Sequence, residues 1–581
     1  MSVDAVYEFA GRRVDVARRQ LLHGERVVPM FPRCFDALLL LIENRGQLLD
    51  KDFLLKTLWP DVVVDENSLA KVISEVRRAL GEGPKAAGCI ATIPRRGYRF
   101  SANVEVKRAA SAVPATSATA PPPLRALAVL PFTIVNPHAE DEGLGIGLAD
   151  ALITRLGQLR RTYVRPTSSI ARFAASVTAP AAAGRELGVD AVIAGSLRRA
   201  GAQVRVSVQL VSVTDDVVTW ADKFDSDATN ALELEDSIAE RVATALTLAL
   251  ADKPPEARRY TANRDAYEHY IRARYLITRR TRTSVMQAIE SLDRAIAIDP
   301  AFALAYAGLS EAWIQLGIRA SVSQSLRPRD AMPKARAAAE KALALDESLS
   351  EAHGTLGQVL FTYEWKRDAG IAELRRAIEL NPNNQNAQHW FAMALAGVGK
   401  FDEALEQIQR ALAIDPLAIM VNANVGFLLY RAGRFDEAVA KLRHTVAMEP
   451  SFAMTRYRLG LALEAQGNYT EALEQFSAMH PSAEDPLAFT AIARTRALMG
   501  ETDEARRILG ELLHIGRTAY VPAAVIADVH VALGDLDEAI VWLERGIEER
   551  AIVSMWLRYE RHWDPLRSHP RFPELLKLVG W

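Results

Sequence analysis

The sequence predicts a multidomain chain: a small α+β domain, an α/β domain and a long all-α solenoid. Three observations carry that prediction. A Gly-x-x-x-Glu-Ala phrase recurs at 399–404, 433–438, 467–472, 500–505 and 534–539, its alanines 34, 34, 33 and 34 residues apart. Residues 109–123 are Ala, Ser, Thr, Val and Pro only, a composition that buries too little area to offset its ordering entropy. Between 124 and 250, short apolar runs of strand type alternate with stretches of helical period. At 581 residues the chain exceeds what one core can organise.

Composition narrows the function classes. Formal net charge is −2, and 24% of residues are charged, as in an ordinary soluble protein. Residues 1–104 carry 16 Lys and Arg against 13 Asp and Glu, whereas the remainder carries 54 against 59. So mild an asymmetry permits a polyanion partner at the N-terminus, and local clustering must make the case. Two cysteines, Cys34 and Cys89, without a Cys-x-x-Cys, exclude a disulfide framework and a thiolate zinc site. No signal peptide and no run of 18 apolar residues is visible, so a cytoplasmic protein without membrane attachment is expected.

The N-terminal part, 1–105, opens with alternating segments at 7–9, 14–16, 20–22 and 26–28, a small antiparallel sheet. Pro32 begins a first helix whose Phe35, Leu38, Leu39 and Ile42 share one face, with Cys34 near its packed side. Leu54, Leu55, Leu58 and Trp59 give a second, stopped by Pro60; a third runs from about Asn67 to Leu80 and ends at Gly81. Residues 90–93 and 98–100 flank Pro94-Arg-Arg-Gly97, a hairpin with a basic tip. This order, with the phrases at 67–80 and 93–100, resembles the winged helix-turn-helix effector domain of OmpR/PhoB-type regulators over residues 5–104.

On the third helix Leu69, Val72, Ile73, Val76 and Leu80 fall on one side, leaving Asn67, Lys71, Ser74, Glu75 and Arg78 outward and Arg77 on the flank. Such a helix fits the major groove, where lysine or arginine reads guanine and asparagine reads adenine. The same cations serve equally as phosphate contacts. Arg95, Arg96 and Tyr98 complete the candidate set on the hairpin; by the resemblance this is the wing, placed in the minor groove or along the backbone. Glu75 either accepts from cytosine or pairs with Lys71 and Arg78. By the same resemblance residues 61–66 contact RNA polymerase; a connector packed on its own domain serves as well.

After the linker 106–123, residues 124–252 place strands near 126–131, 190–197, 204–210 and 217–224, and helices at 148–159 and 232–250. Val129-Leu-Pro-Phe132, Arg185-Glu-Leu-Gly188 and Trp220-Ala-Asp-Lys-Phe-Asp225 resemble the TolB N-terminal-like domain. From 263 to 554 about eight tetratricopeptide repeats follow, the period and its fixed small residues marking a helix–turn–helix array. Pro300, Pro382, Pro416 and Pro450 close their units, and residues 321–330 stretch the second as a surface loop. The alanines of the recurring phrase, with Ala288, sit where paired helices approach most closely. Tryptophans such as Trp313, Trp365, Trp390, Trp542, Trp556 and Trp563 read as solenoid core, one or two being available to a peptide groove. Residues 555–581 leave the repeat and form a C-terminal cap.

No catalytic, cofactor or metal constellation emerges. Gly143-Leu-Gly-Ile-Gly147 lacks both the third glycine of a dinucleotide loop and the lysine of a P-loop, and reads as a helix entry. The expected function is a bacterial-type DNA-binding transcriptional regulator, not an enzyme. Its partners would be double-stranded DNA, RNA polymerase and a protein or peptide on the repeats, with a homodimer on DNA. The competing reading is an interaction scaffold whose winged helix no longer reads DNA. A nucleotide cyclase would need a catalytic domain that residues 1–105 do not resemble.

Overall fold

The computed structural model describes residues 5–15, 20–24, 26–28, 30, 32–58, 66–81, 88–93, 96–108, 124–135, 144–157, 162–173, 178–200, 203–227, 261, 263–318, 326–479, 487–517, 520–551 and 556–581. They fall into two compact units, 1–119 and 120–581.

In the first unit β1 (Ala5–Phe9), β2 (Arg12–Asp15), β3 (Gln20–His23) and β4 (Arg26–Val28) form an antiparallel meander. Then come α1 (Pro32–Glu43), β5 (Leu49–Asp50), α2 (Lys51–Leu58) and α3 (Glu66–Ala79). A hairpin of β6 (Ile90–Ile93) and β7 (Gly97–Phe100) follows, and β8 (Glu105–Arg108) closes the meander against β1. This corrects the boundary expected at residue 105: backbone pairing carries the sheet to Arg108, three residues into the supposed linker. Alternation sends Tyr7, Phe9, Val14 and Leu21 inward, where they meet Phe35, Leu38, Leu41 and Ile42 of α1. Each such side chain contributes about 1.5–3 kcal/mol on burial. Gly97 is set by close approach: β7 runs so near β5 that a Cβ there would lie 1.9 Å from the Leu49 carbonyl oxygen.

The second unit opens with a mixed sheet. Its elements are β9 (Ala126–Val129), β10 (Thr133–Val135), α4 (Leu144–Leu156), β11 (Tyr163–Val164), α5 (Thr167–Ile170), α6 (Pro180–Leu187), β12 (Ala191–Ala200), β13 (Gln203–Ser212) and β14 (Val217–Asp227). The order is β11-β9-β12-β13-β14, with β10 beside β12. β9 is buried along its whole length and pairs in parallel on both sides, as an all-apolar interior strand should. β13 alternates, with Val204, Val206 and Val208 buried and Arg205 exposed. The helix expected at 232–250 lies outside the described residues.

From Arg264 to Glu548 the described helices follow one another in eight packed pairs. Ala288, Ala404, Ala438, Ala472, Ala505 and Ala539 are all fully buried. The glycine of each recurring phrase, from Gly399 to Gly534, has φ between 79° and 85°, a left-handed turn open to few other residues. The stretched second repeat regains helix at Pro328, so its loop ends before residue 330.

The α/β layer and the first helix pairs share one core, with Leu127, Leu152 and Val192 in the same cluster as Tyr270, Leu292 and Phe302. Gly145 and Gly147 lie inside α4, against the Phe132 carbonyl and the Ile271 side chain, and so serve packing. Buried Arg165 donates to the Leu187 carbonyl and to the Ala413 and Ile414 carbonyls, joining the layer to the solenoid. Asn383 does the same, donating to the Gly157 and Thr162 carbonyls and accepting from the Val164 N–H.

Residues 556–581 cover the last helix pair through Trp563, Leu566 and Phe572. They also reach back along the array. Tyr559 donates to the Val398 carbonyl at 3.2 Å, and Arg367 donates to the Val579 carbonyl at 2.7 Å. Glu560 pairs with buried Arg431. Among the described residues no helix is long and apolar enough to cross a membrane.

Candidate nucleic-acid interface

α3 holds its place in the first unit through Leu69, Ile73, Val76 and Leu80, each at most 1% exposed. A helix anchored on that face must present Lys71, Ser74 and Arg78 to solvent, and all three are exposed. Asn67 lies in the first turn of α3, and its side chain is outside the described residues. Both Glu75 carboxylate oxygens accept from Arg78 Nη1 at 2.7 Å. The Arg78 side chain is 72% exposed, so this pair is worth at most about 1 kcal/mol and a phosphate can compete for the guanidinium.

Arg77 is committed elsewhere. Its Nη2 donates to the Ile90 carbonyl at 2.9 Å and to Thr92 Oγ1 at 2.7 Å. The side chain bolts α3 to the outer strand of the hairpin, fixing the spacing between helix and wing. Its outward role is thereby reduced to whatever part of the guanidinium these bonds leave free.

On the hairpin, Arg96 is exposed and its N–H closes the turn on the Ile93 carbonyl at 3.0 Å. Arg95 lies outside the described residues. Tyr98 requires a correction. Strand alternation turns it inward with Phe100, it is 8% exposed, and it packs in the domain core between Leu49 and Thr92. The same alternation points Arg99 outward. Arg99 was missing from the candidate set, although a period of two counted from Phe100 would have placed it there.

Lys71, Arg78, Arg96 and Arg99 thus form the exposed cationic side chains of α3 and β6–β7 among the described residues. Buried Cys34 on α1 is not a reactive thiol: desolvation, and then the nearby Glu75 charge, push its pKa up. Among the described residues no group of three or more His, Cys, Asp or Glu could hold a metal ion. The loop 61–65 lies outside them too.

Comparison with known proteins matches each region separately. Residues 24–100 match the family described as transcriptional regulatory protein, C terminal. Residues 124–241 match the second domain of HilA/YgeH-like transcriptional regulators, and 366–419, 428–486 and 522–545 match tetratricopeptide repeats. The TolB N-terminal-like family is not among these matches.

Transcriptional regulator HilA of Salmonella typhimurium is 24% identical over 66% of this chain and 66% of its own length. A Rhizobium meliloti protein named as an adenylate cyclase is 30% identical over 45% of this chain and 44% of its own. The chain therefore spans under two-thirds of either relative. The Klebsiella pneumoniae RstA DNA-binding domain, solved with its RstA box, is 30% identical, covering 16% of this chain and 96% of that domain at a TM-score of 0.16.

Proposed function

We propose that the chain is a sequence-specific DNA-binding transcriptional regulator of bacterial type, with a repeat region that receives a protein or peptide partner. The observation that carries the reading is the Arg77 bolt. It holds an exposed helix edge (Lys71, Ser74, Arg78) and an exposed hairpin edge (Arg96, Arg99) at fixed separation in one small domain. A helix in the major groove with a hairpin on the flanking backbone needs that rigidity, because both must engage one duplex in register.

In this reading Lys71, Ser74 and Asn67 face base edges, while Arg78, Arg95, Arg96 and Arg99 hold phosphates and residues 61–66 meet RNA polymerase. Two copies would occupy half-sites about one helical turn apart. The protein works in the cytoplasm and is not an enzyme. The 124–252 layer keeps its resemblance to TolB N-terminal-like domains, here serving as a mount for the solenoid.

A scaffold reading draws on one observation: Glu75 occupies Arg78 on the groove-facing side. The two readings separate in a titration of full-length protein with DNA from upstream of its own gene, against scrambled DNA, across salt. A regulator prefers the upstream sequence and weakens steeply as salt rises. Absence of any binding at about 50 mM salt would leave the scaffold.

A further inference from the structure

The first helices of successive pairs, from Ala303–Gly317 to Ala523–Leu533, surround a cavity of about 260 Å³ on the axis of the solenoid. Trp556, Glu560, His562 and Trp563 of the C-terminal segment also line it. An apolar cavity of roughly 150 Å³ already holds a benzene ring, so this one admits a larger organic body.

Aromatic and thioether side chains give the wall its apolar surface, among them Trp390, Met393, Met420, Phe427, Met454 and Trp556. Among the polar groups the acids are already engaged. Glu560 pairs with Arg431, Glu311 with Arg274 at 2.9 Å, and Asp528 with Arg494 at 3.4 Å.

Arg458 is different. It is 6% exposed and lies with its guanidinium carbon 5.0 Å from the Phe427 ring centroid. Its Nη1 meets Met420 Sδ at 4.0 Å, and among the described residues it makes no ion pair. Burial pushes its pKa down to about 9, with the Arg431 charge adding to the effect, so it remains cationic at neutral pH. A second polar group lines the same cavity: Asn424 bonds His389 through its amide nitrogen while its Oδ1 is buried without a hydrogen-bond partner.

An unneutralised buried guanidinium facing an apolar chamber is costly unless an anion joins it. We propose that the solenoid axis is a binding site for a small apolar carboxylate, its carboxylate on Arg458 and its body against Trp390, Met393 and Phe427. A monoanion matches the single charge of Arg458; Arg280, a second cation on the wall, lies within the field of Glu311. This site is independent of the DNA-binding reading, and its test uses no DNA.

The test is calorimetric titration of the full-length protein with octanoate and with 3-phenylpropanoate, followed also by tryptophan fluorescence. Octan-1-ol and octylamine are the matched controls. Saturable binding of at least one carboxylate, tenfold or more tighter than the alcohol and with no uptake of the amine, is expected. Arg458→Met should erase that tenfold preference and leave the alcohol's affinity unchanged. Absence of carboxylate binding, equal affinity for the alcohol, or full carboxylate affinity in Arg458→Met overturns the proposal. If Arg458→Met does not fold, Met393→Trp fills the chamber from its apolar side. It should abolish carboxylate binding, and undiminished binding in that variant also overturns the proposal.

Discussion

Arginine is used in opposite ways in the two units. On the hairpin of the winged domain Arg96 and Arg99 stand in water, and Arg78 of α3 is held only by a weak exposed pair with Glu75. In the solenoid axis Arg431 and Arg494 are buried, and each is matched to a buried glutamate, Glu560 and Glu464. Exposed cations cost the fold almost nothing and stay free for a polyanion. Buried ones have surrendered their hydration and hold the structure only while their partners remain. Charge alone therefore says little about role; exposure and pairing decide.

The largest expected effect comes from breaking a buried pair. Glu560→Gln leaves Arg431 buried without its anion and should lower the stability of the second unit by about 3–5 kcal/mol in urea unfolding. DNA affinity measured below the transition should be unchanged; a parallel loss would break the division of labour between the units. Next, Lys71→Ala/Arg96→Ala/Arg99→Ala removes three exposed cations. We expect affinity for upstream DNA to fall on the order of 100-fold and the salt slope to flatten by about 1.8, the share of the two phosphate-holding arginines, with thermal stability untouched.

Two half-buried histidines contribute a pH dependence in the solenoid. Desolvation, aided by the Arg280 and Arg458 charges, lowers His389 to about 3, and desolvation with Arg494 and Arg431 lowers His562 well below its ordinary value. Below pH 6.5 the unfolded chain takes up protons that the folded chain refuses, so stability falls as pH drops from 6.5 toward 3. Asp528, pushed up to about 6 chiefly by burial, opposes this between pH 6 and 3.8, as do Asp293, Glu351 and Asp415, whose carboxyls burial also raises. His389 by itself contributes a loss on the order of 2–3 kcal/mol between pH 7 and 4.5. His389→Gln should shallow the slope, and an unchanged slope would remove that residue from the account.

Smaller effects sharpen the contrast. Arg77→Met loses the bonds to Ile90 and Thr92 and should cost the winged domain about 1–2 kcal/mol. It should also weaken upstream DNA binding without changing the salt slope, the mark of positioning rather than phosphate contact. Arg458→Met removes a buried cation that has no anion and should stabilise the ligand-free solenoid by roughly 1 kcal/mol, read as a higher urea midpoint.

Local periodicity made much of this legible in the sequence. The 34-residue step marks the helix pairs because each repeat needs the same glycine turn and the same small residue at its crossing. The inward set of α3 follows from a period of 3.6. Reading the hairpin as a basic cluster rather than as a strand with two faces misplaces Tyr98 and omits Arg99. β5 is too short to show a pattern of its own, and β5 and β8 each exist by pairing with a strand far away in sequence, β7 or β1. The Arg165 and Asn383 clasps and the Arg458 environment were equally invisible, since they depend on residues brought together across more than 200 positions or around a whole turn of helices.

The return of residues 556–581 changes how this array can come apart. A linear stack of repeats frays from its ends, because each repeat touches only its neighbours. Here the final segment is fastened to Val398, Arg431 and, across 212 positions, Arg367. Peeling away the last pair must also tear contacts in the middle of the array, so the half from Arg367 onward melts as a closed band rather than a zipper. Assembly runs under the same constraint: that band cannot be fastened until its last residues have left the ribosome.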